Sequence, residues 1–136
     1  MAYWLIKSEP SVYSFAQLQA DKSTAWEGVR NYQARNNMQA MKKGDRCLFY
    51  HSGAGQAIVG IAEVTREFYP DPKDKTGKFG IVDVKVVKAL AAPVPLKAIK
   101  AEPALKDFAL VRHGRLSVTP ADARHWAKIM AMAGEK

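Results

Sequence analysis

The chain has 136 residues, enough for one domain with a hydrophobic core, and at 48% hydrophobic it lies outside the range of disordered chains. No apolar run approaches the roughly 20 residues of a membrane helix. The apolar part of M-A-Y-W-L-I-K is too short for a signal peptide, so a cytoplasmic protein is expected, or a nuclear one in a nucleated cell. The net charge of +8 is spread in patches, which points to a folded basic surface and a polyanionic partner.

Tyr3 to Lys7 alternates bulky residues and reads as a first strand, stopped by Ser8-Glu9-Pro10-Ser11. Ser14 and Gln17 fit a capping box for a short helix to about Ala20, with Phe15 and Leu18 on its buried side. After a turn at Asp21-Lys22-Ser23 comes the stretch W-E-G-V-R-N-Y-Q-A-R-N-N-M-Q-A-M, residues 26–41. Its second part predicts a helix from Tyr32 to Met41, with Asn31 as N-cap and Ala34, Met38 and Met41 as the buried stripe. A Lys42-Lys43-Gly44-Asp45 turn leads into a strand over residues 46–52. A long strand over 57–67 follows, with Ile58, Gly60, Ala62 and Val64 on one face and Val59, Ile61 and Glu63 on the other. Gly60 marks a bulge, a bend or a close neighbour there.

Residues 68–80 read as a polar loop in which Asp71 and Asp74 are solvated. Residues 81–89 are a further strand, broken by Pro93 and Pro95, and helical turns follow at 96–101 and 103–107. Residues 108–111 and 115–118 read as short extended pieces around His113-Gly114. Thr119 reads as the cap of a last helix with Pro120 at its first position and Ala123, Trp126, Ala127 and Met130 on its core face. This order gives a mixed α+β domain, residues 1–136, around a curled sheet.

Residues 26–41 carry more chemistry than folding requires. Trp26 offers a flat apolar face, and Gly28 permits close backbone approach. Arg30 and Arg35 offer planar donor forks, and Asn31, Asn36 and Asn37 both donate and accept hydrogen bonds. Together they suit a nucleobase with its phosphate. A purely structural reading uses the same residues: Trp26 as core, Asn31 as a cap, the arginines as solvated surface.

Catalytic chemistry finds little support. The imidazoles are His51, His113 and His125, and neither H-E-x-x-H nor C-x-x-C occurs. Cys47 lies in the apolar R-C-L-F-Y and reads as a buried inert thiol. It stands four strand residues from His51, about 13 Å, too far to share a metal. No nucleophile-elbow motif accompanies any serine. No catalytic residue, metal site or cofactor is therefore expected.

Several motifs in order make the chain resemble the EVE domain family over nearly its whole length. They are Y-W-L-I-K-S-E-P at 3–10, W-E-G-V-R-N-Y-Q-A-R-N at 26–36 and G-D-R-C-L-F-Y-H-S at 44–52, then V-G-I-A-E-V at 59–64, Y-P-D at 69–71 and L-V-R-H-G-R-L-S-V at 110–118. The resemblance implies a PUA-like fold, a curled pseudobarrel flanked by helices, and kinship with YTH readers of methylated adenine. In those relatives a Lys-Ser pair and a Trp line the base pocket, and Lys7-Ser8 and Trp26 match these places. Phe68 or Tyr69 is the matching second aromatic.

Together with the residue chemistry above, the resemblance leads to the expectation of a non-catalytic monomer that binds DNA or RNA and receives one flipped, modified base. Its pocket would comprise Lys7, Ser8, Trp26, the backbone of Gly28 and Val29, Asn31, Tyr69 and Ser117. Arg30, Arg35, Lys42, Lys43, Arg112 and Arg115 would meet phosphates. Two alternatives stay open: a nucleotide-binding enzyme or sensor using the same pocket, and a protein-interaction domain with a basic face.

Overall fold

Period-two alternation builds the centre of the molecule. In the computed structural model, which describes residues 2–27, 31–53, 55–112 and 116–135, strand β1 (Tyr3–Ser8) pairs in parallel with β3 (Arg46–His51). Along β1, Trp4 and Ile6 enter one core and Leu5 the other; along β3, Cys47 and Phe49 enter the first and Leu48 and Tyr50 the second. The central strands are buried on both faces, and each fully buried Leu, Ile or Phe contributes about 1.5–3 kcal/mol.

The remaining strands are β2 (Ser23–Trp26), β4 (Ala57–Pro70), β5 (Gly80–Pro95) and β6 (Val118–Ala121). They form a six-stranded mixed sheet in the order β2-β5-β4-β3-β1-β6, left open between its two edge strands. Helices α1 (Phe15–Asp21) and α2 (Tyr32–Ala40) supply Phe15, Leu18, Ala34 and Met38 to the first core. Helices α3 (Leu96–Ala101), α4 (Ala109–Arg112) and α5 (Ala123–Met132) supply Ile99, Leu110 and Ile129 to the second. The architecture is α+β of the PUA-like kind, as the resemblance implied.

Local chemistry explains where the elements depart from the sequence reading. Ser14 caps α1 by accepting from Gln17 N–H, but the Gln17 amide reaches forward to Asp21, so the reciprocal half of the capping box is not made. At Gly60 the β3–β4 and β4–β5 ladders both slip. A bulge there inverts the alternation, so Ile58 joins the second core while Ala62 and Val64 join the first. A Cβ at Gly60 would meet the Phe15 ring at 2.2 Å, so the glycine is also where α1 presses on the sheet.

Strand β5 runs past the expected break to Pro95. Its ladder steps from Ala89 opposite Gly60 to Val94 opposite Ile58, leaving Pro93 among extra residues outside the pairing. Residues 109–112 are helical, not extended. Thr119 and Pro120 belong to β6, paired with β1, and the cap of α5 is Asp122, which accepts from His125 N–H. The helix therefore starts later and buries His125 and Ile129, while Trp126 is half-buried and stacked on Tyr3 at 4.4 Å. Asp71, read as solvated, is buried and accepts from Lys73 N–H. Asp74 organises the same loop; the Thr76 hydroxyl first, then the Phe79 N–H, hold its carboxyl down at about 2.

Candidate functional site

Strand β2 ends at Trp26, a residue 7% exposed. Its ring meets Phe49 edge-on at 5.5 Å and Tyr13 edge-on at 6.3 Å. The indole is thus anchored in the first core on one side. On its other side lies a cavity of about 650 Å³, lined by Trp26 with Lys7, Ser8, Tyr13, Thr24 and Ser117 among others. The volume suits one heterocycle with room for solvent.

The cavity is assembled from three parts of the chain. β1 delivers Lys7 and Ser8 at its end, where Lys7 N–H donates to Ser117 O at 2.9 Å and so ties the segment before β6 to the cavity wall. β2 delivers Thr24, Ala25 and Trp26. The turn between β1 and α1 delivers Glu9, Val12 and Tyr13. Four residues singled out from the sequence, Lys7, Ser8, Trp26 and Ser117, are brought together here.

Others are not. Asn31 uses its side-chain oxygen to accept from Ala34 N–H at 3.0 Å, as the cap of α2. Tyr69 donates its hydroxyl to Asp83, lies under the Arg66 guanidinium at 3.7 Å and is absent from the cavity wall. Phe68 packs on the first core over Gly80. The aromatic beside Trp26 is Tyr13, and the two rings are nearly perpendicular, an interplanar angle of 87°. They form a corner and not a parallel slot, so a base stacked on one ring meets the edge of the other. The candidates at Gly28, Val29, Arg30, His113 and Arg115 lie outside the described residues.

Polar capacity in the cavity leans toward acceptance. Ser8 Oγ donates to Tyr13 O at 2.8 Å, which uses its proton and leaves its lone pairs. The Tyr13 hydroxyl donates to Asp21 at 2.9 Å. Glu9 and Glu27 also line the cavity, with the Glu27 carboxylate paired to Lys73 Nζ at 3.1 Å. Lys7 is the one cation lining the cavity among the described residues. Its ammonium sits 5.9 Å from the Tyr50 ring, and burial lowers its pKa from the usual lysine value.

The expected phosphate contacts are scattered. Lys42 and Lys43 stand exposed on the turn before β3. Arg35 spends its guanidinium on Asn36 Oδ1 and Lys78 O and lies 5.0 Å over the Tyr32 ring. Arg112 borders a second cavity of about 410 Å³ with Gln33, Asn37, Asp107 and Thr119.

His51 holds the site from behind. Its Nε2 accepts from Phe15 N–H at 3.0 Å, and desolvation pushes its pKa below the ordinary imidazole value. The lone pair that a general base would use is engaged in positioning α1. Cys47 is fully buried, and burial raises its thiol far above the usual range. No group of three or more His, Cys, Asp or Glu side chains among the described residues is placed to hold a metal ion.

Residues 2–132 match the EVE domain. A protein of Rhodopseudomonas palustris, solved by NMR, superposes at a TM-score of 0.94 with 53% identity, over 98% of this chain and 94% of that chain. Human thymocyte nuclear protein 1 is 34% identical over 153 residues, 88% of this chain and 68% of that protein. Its crystal structure in complex with DNA containing 5-methylcytosine superposes at a TM-score of 0.90 with 30% identity, over 100% of this chain and 99% of that chain. The YTH domain of a Zygosaccharomyces rouxii protein, solved with N6-methyladenosine RNA, shares the fold at a TM-score of 0.62 and 16% identity, over 97% of this chain and 86% of that chain.

Proposed function

The chain belongs to the EVE domain family, and from that premise we propose that it is a non-catalytic module that binds nucleic acid through one modified base, turned out of its strand into the Trp26 cavity. The observation that carries this reading is the cavity itself, an anchored indole facing a space of about 650 Å³ with Ser8 at its edge. The human relative's complex with methylated DNA supports the same ligand class. Exposed cations such as Lys42, Lys43 and Arg112 hold the phosphate backbone in this reading, and contribute affinity without choosing the base.

The acceptor-rich lining narrows the base. Ser8 Oγ, with its proton already used, and Glu9 favour a base that presents an exocyclic amine. Cytosine presents such a donor, whereas thymine presents a carbonyl at the same place. A methyl group adds apolar area worth about 0.8 kcal/mol when fully buried, a preference of only a few-fold. The amine therefore sets identity and the methyl tunes affinity.

A single substitution in the probe separates the two contributions. Replacing 5-methylcytosine by thymine keeps the methyl and inverts the polar edge. Titration of matched oligonucleotides is expected to show about tenfold weaker binding to the thymine probe. Trp26→Phe, which keeps an aromatic against Phe49 and spares the core, is expected to lose most of the preference for the methylated probe. Lys42→Ala is expected to weaken all probes alike and to lower the salt slope by about 1. Equal binding of the 5-methylcytosine, cytosine and thymine probes by the wild type would refute the reading.

A further inference from the structure

Val12 is 78% exposed, and it lines the rim of the Trp26 cavity. The other strongly exposed large hydrophobic among the described residues is Tyr32, whose ring is covered by Phe79 at 5.2 Å and by Arg35. A single exposed valine is ordinary on a protein surface. This one is distinguished by how its turn is built. Val12 N–H and Tyr13 N–H both donate to Glu9 O at 2.9 Å. Pro10, directly after Glu9, fixes one backbone angle within the turn. Ser8 Oγ donates to Tyr13 O at 2.8 Å and ties the far side of the turn to the end of β1. The turn is braced at both ends and holds an isopropyl group in water at the edge of the cavity.

We infer that the module takes its base from a duplex, and that Val12 enters the stack at the step the base has left. The inference rests on the reading that the Trp26 cavity receives a base. Extruding a base from a duplex breaks its stacking on both neighbours. An apolar side chain pushed into the vacated step restores contact with those neighbours and keeps water out of the gap. Valine suits the task because its branched side chain is stiff about χ1 and loses little freedom on insertion. Glu9, in the same turn, disfavours close phosphate approach beside Val12, while the Glu27 carboxylate is paired with Lys73 Nζ at 3.1 Å. In a single strand the base is already free, no gap opens, and Val12 has nothing to fill.

The two strand states therefore test the inference. Wild type and Val12→Ala are titrated with one sequence carrying a single 5-methylcytosine, as duplex and as single strand. 2-Aminopurine beside the methylated base reports unstacking by its fluorescence. Val12→Ala is expected to bind the duplex about tenfold more weakly and to lose the fluorescence rise, with single-strand affinity held within about twofold. Val12→Leu, which keeps an apolar wedge, is expected to retain duplex binding. Equal loss on both probes would make Val12 a wall of the cavity and overturn the inference, and so would no loss on either. A wild type that prefers no methylated probe in either form would overturn the base-cavity reading first, and the wedge with it. Val12 lies on the surface, so matched melting temperatures establish that the variants fold.

Discussion

Two buried polar residues flank β1, and they differ in how fully they are satisfied. On the β3 side, Asp45 is 4% exposed and accepts from Trp4 Nε1 at 3.0 Å, Lys42 N–H at 2.9 Å and Ala2 N–H at 3.1 Å. On the β6 side, Thr119 stands opposite Leu5, is equally buried, and its Oγ1 has no hydrogen-bond partner among the described residues. Burial, the largest influence on the Asp45 carboxyl, pushes it upward, yet the bonds from Trp4, Lys42 and Ala2 together outweigh it and hold the group below its usual value. Burial alone does not decide what a polar group contributes. The supply of donors around it does.

Removing each side chain should move stability in opposite directions. Asp45→Ala leaves the Trp4 indole N–H and two backbone N–H groups without their acceptor. The expected cost is about 3 kcal/mol, the largest among these variants, read as a lower urea midpoint with an unchanged slope. Thr119→Val keeps the shape and the strand preference of the residue while removing an unpaired hydroxyl. It is expected to stabilise the protein by about 1 kcal/mol and raise the melting temperature by a few degrees. A fall in melting temperature for Thr119→Val would show that the hydroxyl is bonded after all, and the contrast with Asp45 would be lost.

The same distinction explains what could be read from the sequence. β1 and β3 were legible because alternation is local, and Ala34, Met38 and Met41 were legible because helical spacing is local. The last helix was misplaced because Thr119-Pro120 imitates a helix start, whereas pairing of β6 with β1 claims both residues for the sheet. Ile58 was assigned to the wrong face because a single bulge at Gly60 inverts everything before it. At the candidate site, Lys7 and Ser8 came from motif resemblance, Trp26 from its flat apolar face as well as the resemblance, and Ser117 from its polar side chain, and the cavity gathers all four. Tyr13 and Val12 carried no signal, since a turn residue becomes a wall or a rim only when β1 and β2 bring its neighbours close. Asn31 carried two signals, cap and ligand, and its oxygen is used as the cap.

His51 lies between these extremes, because its partnership depends on pH. The Nε2 lone pair accepts from Phe15 N–H and so fixes the start of α1, the helix whose Phe15 presses on Gly60 and whose preceding turn carries Tyr13 and Val12. Desolvation lowers the imidazole pKa in the folded state. The unfolded chain therefore binds a proton more readily, and stability must rise with pH across this range. The contribution is complete above the ordinary imidazole value of about 6.5 and is lost as pH falls through the lower folded value. Protonation converts the acceptor to a donor facing another donor, at a cost of about 0.5 kcal/mol, the smallest effect expected here. His51→Gln offers a carbonyl oxygen that does not titrate. Urea midpoints measured from pH 7.5 to 5 should fall more steeply for the wild type than for His51→Gln, since His125 and the carboxylates are common to both. Parallel curves would mean that the Phe15 bond does not hold α1, and the turn bearing Tyr13 and Val12 would then owe its position to Ser8 and Glu9 alone.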